Sequence, residues 1–232
     1  MGAKKKIIKK AFKDTLPVLA GYLFLGFGFG ILMQEAGFGV LWAVAMCLTL
    51  YSGTMQYIAV SLFVSSADIF TTALTTLLVN ARHLFYGISM VDRYKGAGKK
   101  KPYMIFTLTD ETFSLVSKKE VGEMENIHTY CFWVSFLDHM YWVLGSALGN
   151  VIGSLLPISF EGIEFVITAL FATIFIEQWQ SSKNHTSAII GIVATVFSLF
   201  VFGGDLFLIP AMVIITASLL IMSKIKGVEA YD

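Results

Sequence analysis

The sequence predicts an all-α fold: a polytopic helical bundle of an integral membrane protein, with broken or re-entrant half-helices and a possible internal repeat. Three observations predict it. Of the 232 residues, 56% are hydrophobic and 14% are charged, whereas soluble domains average about 25% charged residues. Apolar runs follow one another along the chain, and several are long enough to cross a membrane. Lys and Arg are concentrated in a few segments between these runs, which is typical of membrane-protein loops.

The apolar runs define the predicted helices. They cover residues 16–33, 38–64, 69–90, 130–156, 163–176, 187–202 and 206–222. A bilayer core takes about 20 helical residues at about 1.5 Å each. The second run, extended to Ser66, would form a helix of about 43 Å, which is too long for a hydrocarbon layer of roughly 30 Å. Since Ser52, Gly53 and Thr54 interrupt that run, we expect two short arms there, and one helix for the third run.

The basic residues predict the topology. Six of the 17 lie in 4–13 and seven in 93–119, and Lys224 and Lys226 follow the last apolar run. Because basic segments stay on the cytoplasmic side, the N-terminus, the central loop and the C-terminus are expected in the cytoplasm of a multi-pass plasma-membrane protein. If 38–64 forms two short arms that enter and leave the membrane on the same side, and not one span, the central loop stays on the cytoplasmic side after the third run. The basic N-terminus is interpreted as leading into a retained first span, because no signal-peptide cleavage site follows it.

These signals divide the chain into five segments. They are a basic cytoplasmic N-terminus (1–14), a first membrane half (15–91), a basic cytoplasmic loop (92–127) with a possible half-helix (103–117), a second membrane half (128–223) and a cytoplasmic tail (224–232). The halves are weakly alike, since Gly26 and Gly30 precede one interrupted region as Gly145 and Gly149 precede another. Paired interrupted segments are typical of a transporter binding site. The charges make the halves parallel, whereas entry of 103–117 into the bilayer would make them inverted.

The interruption in the second run is the first candidate binding site. Its residues are Tyr51, Ser52, Gly53, Thr54 and Gln56. A broken helix exposes backbone N–H and C=O groups, which are tolerated at membrane depth only where protein or a water-filled cavity satisfies them. A helix N-terminus opening at Thr54 could bind a carboxylate, which suits an amino acid. The alternative is a packing kink that Ser and Thr side chains close.

Two further interruptions contain ionisable residues. Glu177 and Gln178 lie between two short runs of the second half, where Glu177 is a candidate counter-ion or proton carrier. Asn80, Arg82 and His83 lie about two-thirds of the way along the third run. An ionisable side chain in mid-membrane costs roughly 2.5–3.5 kcal/mol. Arg82 therefore either pairs with a buried acid while Asn80 and His83 line a polar path, or extends to the cytoplasmic headgroups while His83 bonds a neighbouring helix.

Acidic residues mark two more candidate positions. Asp110 and Glu111 lie in the apolar segment 103–117, which either lies on the membrane surface as an amphipathic helix or enters the bilayer as a half-helix. Adjacent residues point about 100° apart on a helix, so we expect one of the two carboxyl groups to be functional. Asp138 and His139 lie near the middle of the fourth run, and each could equally make an interhelical contact.

Other classes of protein are less consistent with the sequence. The net charge of +1 gives no basic excess for nucleic acid. Cys47 and Cys131 lie in apolar runs and are expected as buried thiols without a metal-type spacing. The sequence contains neither the HExxH motif of metalloproteases nor the GxSxG motif of serine hydrolases, so we expect no enzyme, no cofactor and no metal. It also has no Walker loop, so we expect a gradient to supply the energy for transport. A channel remains an alternative.

At these positions the sequence resembles the AzlC family, the large subunit of branched-chain amino-acid exporters. The resemblance covers nearly the whole chain. Its motifs are the Lys-rich start leading to Leu16 and Pro17, the string Tyr51-Ser52-Gly53-Thr54-Met55-Gln56, the string Asn80-Ala81-Arg82-His83-Leu84-Phe85-Tyr86-Gly87, and Thr109-Asp110-Glu111. The string that begins at Asn80 is the most specific. Thr54 stands where the family often has Ser, which keeps a hydroxyl group.

The resemblance implies a secondary transporter that exports leucine, isoleucine, valine and related apolar amino acids, with a small membrane subunit of the AzlD type. The carboxylate of such a substrate could bind at the break at 52–54, its ammonium at Asp110 or Glu177, and its side chain at Phe24, Phe27 or Phe85. The expected substrate-binding residues are Tyr51, Ser52, Gly53, Thr54, Gln56 and Asn80. The expected residues of gating or proton coupling are Arg82, His83, Asp110, Glu111, Asp138, Glu177 and Gln178.

Overall fold

The computed structural model describes residues 2–122, 124–155, 172, 175–176, 179–180 and 184–226, and within them all regular secondary structure is helical. The predicted all-α class is therefore confirmed for this part of the chain. The helices are α1 (Gly2–Glu35), α2 (Val40–Thr49), α3 (Gly53–Val64), α4 (Ile69–Val79), α5 (Ala81–Met90), α6 (Lys101–Phe106), α7 (Asp110–Val116), α8 (Lys119–Gly122), α9 (Ile127–Leu155), α10 (Thr186–Leu206) and α11 (Leu208–Lys226). They belong to two compact units, Met1–Ile167 and Thr168–Asp232.

The first unit is built on two long helices, α1 and α9, which pack side by side. Toward the start of both, Tyr130 Oη donates a hydrogen bond to Asp14 Oδ2 at 2.7 Å. Toward the end of both, Asn150 Nδ2 donates to the carbonyl oxygen of Gly30 at 3.1 Å. The contacts advance in the same direction along the two helices, so α1 and α9 are parallel.

Glycines allow these two helices to approach closely. A Cβ added at Gly26 would lie 2.9 Å from a backbone oxygen of α9, and one at Gly145 would lie 2.8 Å from a backbone oxygen of α1. A Cβ at Gly30 or Gly149 would overlap the backbone of the opposite helix. Small residues at a spacing of four allow such backbone contact between membrane helices. The glycines that resemble each other in sequence thus face each other in the fold.

The second apolar run forms two helices, α2 and α3, which are separated by residues 50–52. Leu50 has φ −123° and ψ 59°, and Ser52 has φ −147° and ψ 97°, so both lie outside the helical region. The second helix begins at Gly53, one residue before the Thr54 expected from the sequence. Gly53 and Thr54 therefore belong to its first turn and not to the break.

The helices α2 and α3 are antiparallel neighbours. The Phe38 ring, just before α2, lies 5.9 Å from the Phe63 ring near the end of α3. At the other end of the pair, Gln56 Nε2 donates to Cys47 Sγ at 3.5 Å. The carbonyl oxygen of Cys47 accepts a hydrogen bond from His139 Nε2 at 3.1 Å. The break between the two helices therefore lies beside the middle of α9.

The third apolar run is also two helices, which corrects the expectation of one helix. The helix α4 ends at Val79 and α5 begins at Ala81. Asn80 between them has φ −91° and ψ 3°, in the sparsely populated bridge region. Its Oδ1 accepts a hydrogen bond from Ser52 Oγ at 2.7 Å. This contact joins the break at Asn80 to the break between α2 and α3.

The segment 103–117 is likewise divided, which corrects the expectation of a single half-helix. It contains α6 and α7, joined by residues 107–109. Thr109 is the N-cap of α7, and its Oγ1 accepts a hydrogen bond from the N–H of Thr112 at 3.3 Å. A threonine that satisfies a free N–H group in this way favours the start of a new helix. The chain therefore ends one helix and begins another within a few residues.

The helices α6 and α7 form a hairpin against α9. Before α6, Lys100 Nζ donates to Thr129 Oγ1 at 3.0 Å, close to the start of α9. On α7, Thr112 Oγ1 donates to Asp138 Oδ2 at 2.8 Å, near the middle of α9. The tip of the hairpin at 107–109 therefore lies at the level of the middle of α9, close to Tyr22 on α1.

The basic central loop packs on this hairpin and on α9. Tyr94, Met104, Val116, Tyr130 and Cys131 are buried in one hydrophobic cluster. The side chain of Arg93 donates to the carbonyl oxygens of Val116 and Lys118. The thiols of Cys47 and Cys131 are free and buried, which confirms the expectation for both.

Many large apolar side chains are exposed on the first unit, whereas its interior contains polar groups. Phe24 is 73% exposed and Ile69 is 87% exposed, while Gln56 and Asp138 are fully buried. This distribution is the reverse of that in soluble proteins, where buried polar groups are the exception. Within the described residues, two helical segments, Lys5–Glu35 and Thr186–Gly203, are long and apolar enough to cross a bilayer by length and composition.

The second unit contains α10 and α11, which pack together. Near the end of α10, Gly203 has φ 75°, which places a bend where only glycine is unstrained. The Trp179 ring stacks on the His185 imidazole with centroids 4.1 Å apart. The predicted run at 163–176 lies almost entirely outside the described residues.

Candidate functional site

Three interruptions of helical structure come together beside the middle of α9. They are residues 50–52, Asn80 and the hairpin tip at 107–109. Asp138 and His139 lie about one-third to one-half of the way along this 29-residue helix and contact them. The site is therefore formed by residues that are distant in sequence and that lie at one level of the first unit.

Tyr51 connects the first break to α9 and to α6. Its ring centroid lies 4.4 Å from that of His139 and 6.4 Å from that of Phe106. His139 is held on both sides, because Nε2 bonds the Cys47 carbonyl oxygen and Nδ1 lies 2.9 Å from Tyr103 Oη. A carbonyl oxygen can only accept, so Nε2 carries the hydrogen and Nδ1 accepts from the tyrosine in the neutral imidazole. His139 is thereby fixed as a wall of the site.

A second polar contact fixes the first turn of α3. Trp142 Nε1 donates to Gln56 Oε1 at 2.7 Å, and both side chains are buried. Gly53 lies against the same indole, since a Cβ added there would be 3.0 Å from a ring carbon of Trp142. Ser52 then links this turn to Asn80. The start of α3 is thus held from two sides, by Trp142 on α9 and by Asn80 after α4.

A chain of hydroxyl groups joins two carboxyl groups, those of Glu111 and Asp138. Tyr22 Oη donates to Glu111 Oε2 at 2.6 Å and lies 2.7 Å from Thr109 Oγ1. Thr109 Oγ1 donates to Thr112 Oγ1 at 3.2 Å, and Thr112 Oγ1 donates to Asp138 Oδ2 at 2.8 Å. These five residues, here called the hydroxyl chain, connect α1, α7 and α9.

The hydroxyl chain is buried except at one end. Asp138 and Thr112 have no exposed surface, Tyr22 and Thr109 are less than a tenth exposed, and Glu111 is partly exposed. Within the described residues, Asp138 Oδ1 has no hydrogen-bond partner and neither carboxyl group forms an ion pair. An ionised carboxylate in such a position is costly. The site therefore favours a proton or a cationic group near Asp138.

The structure brings most of the predicted site residues to this level. Those that meet here are Tyr51, Ser52, Gly53, Gln56, Asn80, Glu111 and Asp138, together with His139. Thr54 is half-buried in the first turn of α3, and Asp110 is half-buried at the start of α7. The acid on α7 that contacts the hydroxyl chain is Glu111.

Of the other predicted residues, His83 neighbours one of the three interruptions, and the rest have side chains outside the described residues. His83 Nδ1 lies 3.3 Å from the carbonyl oxygen of Asn80. Arg82 is on α5, but its side chain is outside the described residues, as are the whole of Glu177 and Gln178.

The three phenylalanines expected to line an apolar pocket have different surroundings. Phe24 points to the apolar exterior with 73% of its surface exposed, so its assignment to an interior pocket is wrong. Phe27 is half-buried, and the side chain of Phe85 is outside the described residues. The rings that do border the site are those of Tyr51 and Phe106.

Sequence reasoning missed Tyr22, Thr112 and Trp142, and it noted Thr109 only as part of the string Thr109-Asp110-Glu111. Hydroxyl and indole groups are inexpensive in apolar segments, so they attract little notice without a known partner. The string from Thr109 to Thr112 carried the only usable signal, since a threonine followed by acidic residues is typical of a helix start. Within the described part of the chain, no group of three or more His, Cys, Asp or Glu side chains could hold a metal ion.

Comparison with known proteins identifies the family. The model of the AzlC protein family matches residues 17–156. "Branched-chain amino acid transport protein AzlC" of Bacillus subtilis is 43% identical over 93% of this chain and 85% of its own length. An "Uncharacterized membrane protein" of Haemophilus influenzae is 40% identical over 88% of this chain and 84% of its own. "Inner membrane protein YgaZ" of Escherichia coli is 27% identical over 81% of each chain.

No solved structure matches the chain. The family match covers more than half of the sequence, and the Bacillus subtilis relative extends it over nearly all of it. The resemblance seen in the sequence motifs is thereby confirmed. The chain belongs to the AzlC family, whose named relatives are membrane and transport proteins.

Proposed function

We propose that this protein is the large subunit of a two-component secondary transporter that exports branched-chain and related apolar amino acids. One observation carries the proposal: three helix breaks gather buried polar side chains and two carboxyl groups inside a unit with an apolar exterior. Transporters bind their substrates near the bilayer midplane at such interruptions. The Bacillus subtilis relative, named as a branched-chain amino acid transport protein, supports the substrate class.

In the proposed topology the protein is a multi-pass protein of the plasma membrane with both termini in the cytoplasm. The parallel course of α1 and α9 supports it, because α1 begins with one Lys-rich segment and α9 follows the basic central loop. The pair α2 and α3 then enters from the outer side as a re-entrant hairpin, and α6 and α7 enter from the cytoplasmic side. The five sequence segments, 1–14, 15–91, 92–127, 128–223 and 224–232, are the proposed organisation.

The glycine contacts support a parallel internal repeat. Gly26 and Gly145 are 119 residues apart, as are Gly30 and Gly149, and each pair lies where α1 and α9 touch. In this proposal α1 and α9 are the first helices of two halves related by an axis along the membrane normal. Because 103–117 is divided into two arms, α6 and α7, that enter and leave on the same side in this proposal, its entry into the bilayer does not invert the second half.

The proposed binding mode follows from the groups at this level. The substrate carboxylate meets the N–H groups of the first turn of α3, beside Ser52, where the positive end of the helix dipole favours an anion. The ammonium group meets the carboxyl groups of Glu111 and Asp138. The branched side chain packs on the rings of Tyr51 and Phe106. Gating or coupling roles for Arg82, His83, Asp110, Glu177 and Gln178 remain part of the proposal.

The energy source in this proposal is an ion gradient. The chain has no Walker loop, and buried carboxyl groups are the usual carriers of protons in membrane transporters. The proposed partner is a small membrane subunit of the AzlD type, which the family resemblance implies. Rocking of one half of the membrane region against the other would expose the site to each side in turn.

Efflux from proteoliposomes tests the proposal. Vesicles preloaded with labelled leucine are prepared with this chain alone, with the small subunit alone and with both, each with and without a proton gradient. We expect efflux that requires both chains and responds to the gradient. Phe70→Leu, on the exposed apolar surface, serves as a variant that should transport normally. Folded complex that moves neither leucine, isoleucine nor valine under any of these conditions would contradict the proposal.

A further inference from the structure

The hydroxyl chain contains four contacts between oxygen atoms. They join Glu111 to Tyr22 at 2.6 Å, Tyr22 to Thr109 at 2.7 Å, Thr109 to Thr112 at 3.2 Å, and Thr112 to Asp138 at 2.8 Å. Two oxygen atoms within about 3.0 Å attract each other only when a hydrogen atom lies between them. The longer contact is a hydrogen bond in which Thr109 Oγ1 donates to Thr112 Oγ1. In a buried site of low dielectric constant, a contact without a hydrogen atom is repulsive and costly. Each of the four contacts therefore needs one hydrogen.

The hydroxyl groups cannot supply that number. Tyr22, Thr109 and Thr112 each contribute one hydrogen, which gives three for four contacts. With Tyr22 donating to Glu111, Thr109 donating to Thr112 and Thr112 donating to Asp138, no hydroxyl hydrogen is left for the contact between Tyr22 and Thr109 at 2.7 Å. One more proton completes the chain, and only a carboxyl group at either end can bind it at physiological pH.

We infer that the hydroxyl chain is a proton relay in which Glu111 and Asp138 share one proton. In one state Glu111 carries the proton and every hydrogen bond points toward an ionised Asp138. In the other state Asp138 carries it, and the hydrogen bonds that the structure directs from Thr109 to Thr112 and from Thr112 to Asp138 are reversed, so that every bond points toward an ionised Glu111. The inference rests on the proposed function, because a shared proton would link the gradient to substrate movement.

Transfer along the relay is balanced in atoms and charge. The O–H bond of Glu111 breaks as its proton binds the oxygen of Tyr22. The Tyr22 proton passes to Thr109, the Thr109 proton to Thr112, and the Thr112 proton to the carboxylate of Asp138, where the new O–H bond forms. Each hydroxyl group gives one proton and receives one. The net result is one proton moved from Glu111 to Asp138.

The two ends of the relay have different access to water. Glu111 is partly exposed, whereas Asp138 and the three hydroxyl residues are buried. The relay therefore connects a partly exposed acid on α7 with a buried acid on α9. The connection depends on α1 as well, because Tyr22 supplies the link between Glu111 and Thr109.

The surroundings leave one negative charge in the site. The other titratable groups around the two carboxyl groups are Tyr51 between α2 and α3, Tyr103 on α6, Asp110 on α7, and Tyr130, His139 and Tyr141 on α9. Among these described groups none is Lys or Arg, and the ring nitrogens of His139 are engaged by the Cys47 carbonyl oxygen and by Tyr103 Oη. The carboxylate without the proton is thus available to a substrate ammonium group. The position of the proton decides whether that carboxylate is Glu111 or Asp138.

Infrared difference spectroscopy tests the shared proton without requiring transport. At neutral pH exposed carboxyl groups are ionised, so the C=O band of a protonated carboxyl group reports the relay. An amide at either end is a fixed N–H donor that completes all four contacts while the opposite carboxyl group stays ionised. We therefore expect the band in the wild type and its loss in both Glu111→Gln and Asp138→Asn. The exposed Asp68→Asn is the matched control and should keep the band.

Two independent acids would give a different result. If each acid titrates alone, only the substitution that removes the protonated acid abolishes the band, and the other substitution leaves it. That outcome, or a wild type without the band, overturns the relay.

A transport measurement separates the relay from substrate binding. Tyr22→Phe removes one hydroxyl group and keeps the ring that lies edge-on against Trp142. Tyr141→Phe is the matched control, because its buried hydroxyl contacts Thr15 Oγ1 at 3.1 Å on the same two helices, outside the relay. Leucine counterflow, which needs no net proton movement, and proton movement driven by a leucine gradient are measured in the reconstituted complex.

We expect Tyr22→Phe to keep counterflow near the wild-type rate and to lose proton movement by about 100-fold, the size of effect typical of a positioned proton carrier. Tyr141→Phe should keep both. Wild-type proton movement in Tyr22→Phe, or loss of counterflow and proton movement together in a folded complex, overturns the relay. If the wild type moves no amino acid but its infrared band behaves as expected, the proposed function fails and the relay stands.

Discussion

The indole of Trp142 on α9 donates its N–H to the side-chain oxygen of Gln56 on α3 at 2.7 Å. Gln56 is fully buried, and its amide nitrogen lies 3.5 Å from the sulfur of Cys47. The three residues thus join the two helices of a broken segment to the long helix that carries Asp138. Since α3 is only 12 residues long, this contact contributes to holding its first turn at the level of the site.

Removal of the Gln56 acceptor should destabilise the protein. Gln56→Met keeps an unbranched side chain of similar size but leaves the Trp142 N–H buried without its partner. We expect a loss of roughly 1–2 kcal/mol in the free energy of unfolding, measured by thermal unfolding in detergent. Trp142→Phe should lower the free energy of unfolding less in the Gln56→Met variant than in the wild type, because the two residues share one hydrogen bond. Trp42→Phe, at a 65% exposed indole, is the control; equal stability of Gln56→Met and wild type would contradict the assignment.

The contact between α1 and α9 makes a second prediction. Gly149→Ala introduces a Cβ that overlaps the backbone of α1, so the helices must separate, at a cost of about 1–3 kcal/mol or more. Gly21→Ala is matched, because it lies on α1 with nothing within 4 Å of the added Cβ. Gly21→Ala should be neutral or slightly stabilising through helix propensity. The melting temperatures and elution profiles of the two variants check this; similar values for both would contradict the close packing.

The break at 50–52 could be predicted from the sequence because length and charge are properties of the chain alone. A run of 27 residues is too long for one span, and one span there would place the basic loop that follows the third run on the side opposite to the one that its charges indicate. The all-α class follows from the same apolar pattern. The sequence also showed the matching glycines of α1 and α9. It indicated that the two halves are alike, but it did not predict that these glycines lie where the two helices touch.

The break at Asn80 and the division at 107–109 could not be predicted in the same way. Each depends on a partner distant in sequence: Ser52 for Asn80, and Tyr22 for Thr109. An isolated Asn or Thr in an apolar run has several inexpensive ways to satisfy its side chain. Only the packed structure selects one of them, and the same holds for the hydroxyl chain.

The loop before α4 provides a prediction about pH. Asp68 is fully exposed and accepts hydrogen bonds from the Thr71 hydroxyl at 2.6 Å and from the N–H groups of Thr71 and Phe70 at 3.0 and 2.9 Å. These bonds, the hydroxyl bond first, lower the pKa of Asp68 below its ordinary value. A lowered pKa in the folded state stabilises the start of α4 above the ordinary pKa, and the effect is lost as pH falls through the lowered value.

Hydrogen exchange at the Phe70 and Thr71 amides measures this effect. Asp68→Ala should exchange faster than wild type at neutral pH, and the difference should vanish below the lowered pKa. Asp68→Asn should stay close to wild type at neutral pH, because Asn also caps helices, and should show no acid transition of its own. A difference between Asp68→Ala and wild type that is the same at all pH values would contradict the role of the charge.

Under the proposed function, the hydrogen bond between Ser52 and Asn80 makes the last prediction. Ser52 Oγ donates to Asn80 Oδ1 at 2.7 Å and thereby joins two helix breaks beside the first turn of α3. Ser52→Ala removes the donor, so the turn is less well ordered for the substrate carboxylate. The loss of one such bond, about 1 kcal/mol, should raise the KM for leucine counterflow roughly fivefold.

Ser52→Thr should restore the wild-type KM, because it keeps the hydroxyl group and the extended backbone of Ser52 suits a β-branched residue. Ser61→Ala, at an exposed serine on α3, is the matched control and should leave KM unchanged. Unfolding temperatures of all three variants separate binding from stability. An unchanged KM in Ser52→Ala would remove the contact from the substrate site, and an equal rise in Ser52→Thr would mean that the size of the side chain matters there and not its hydroxyl group.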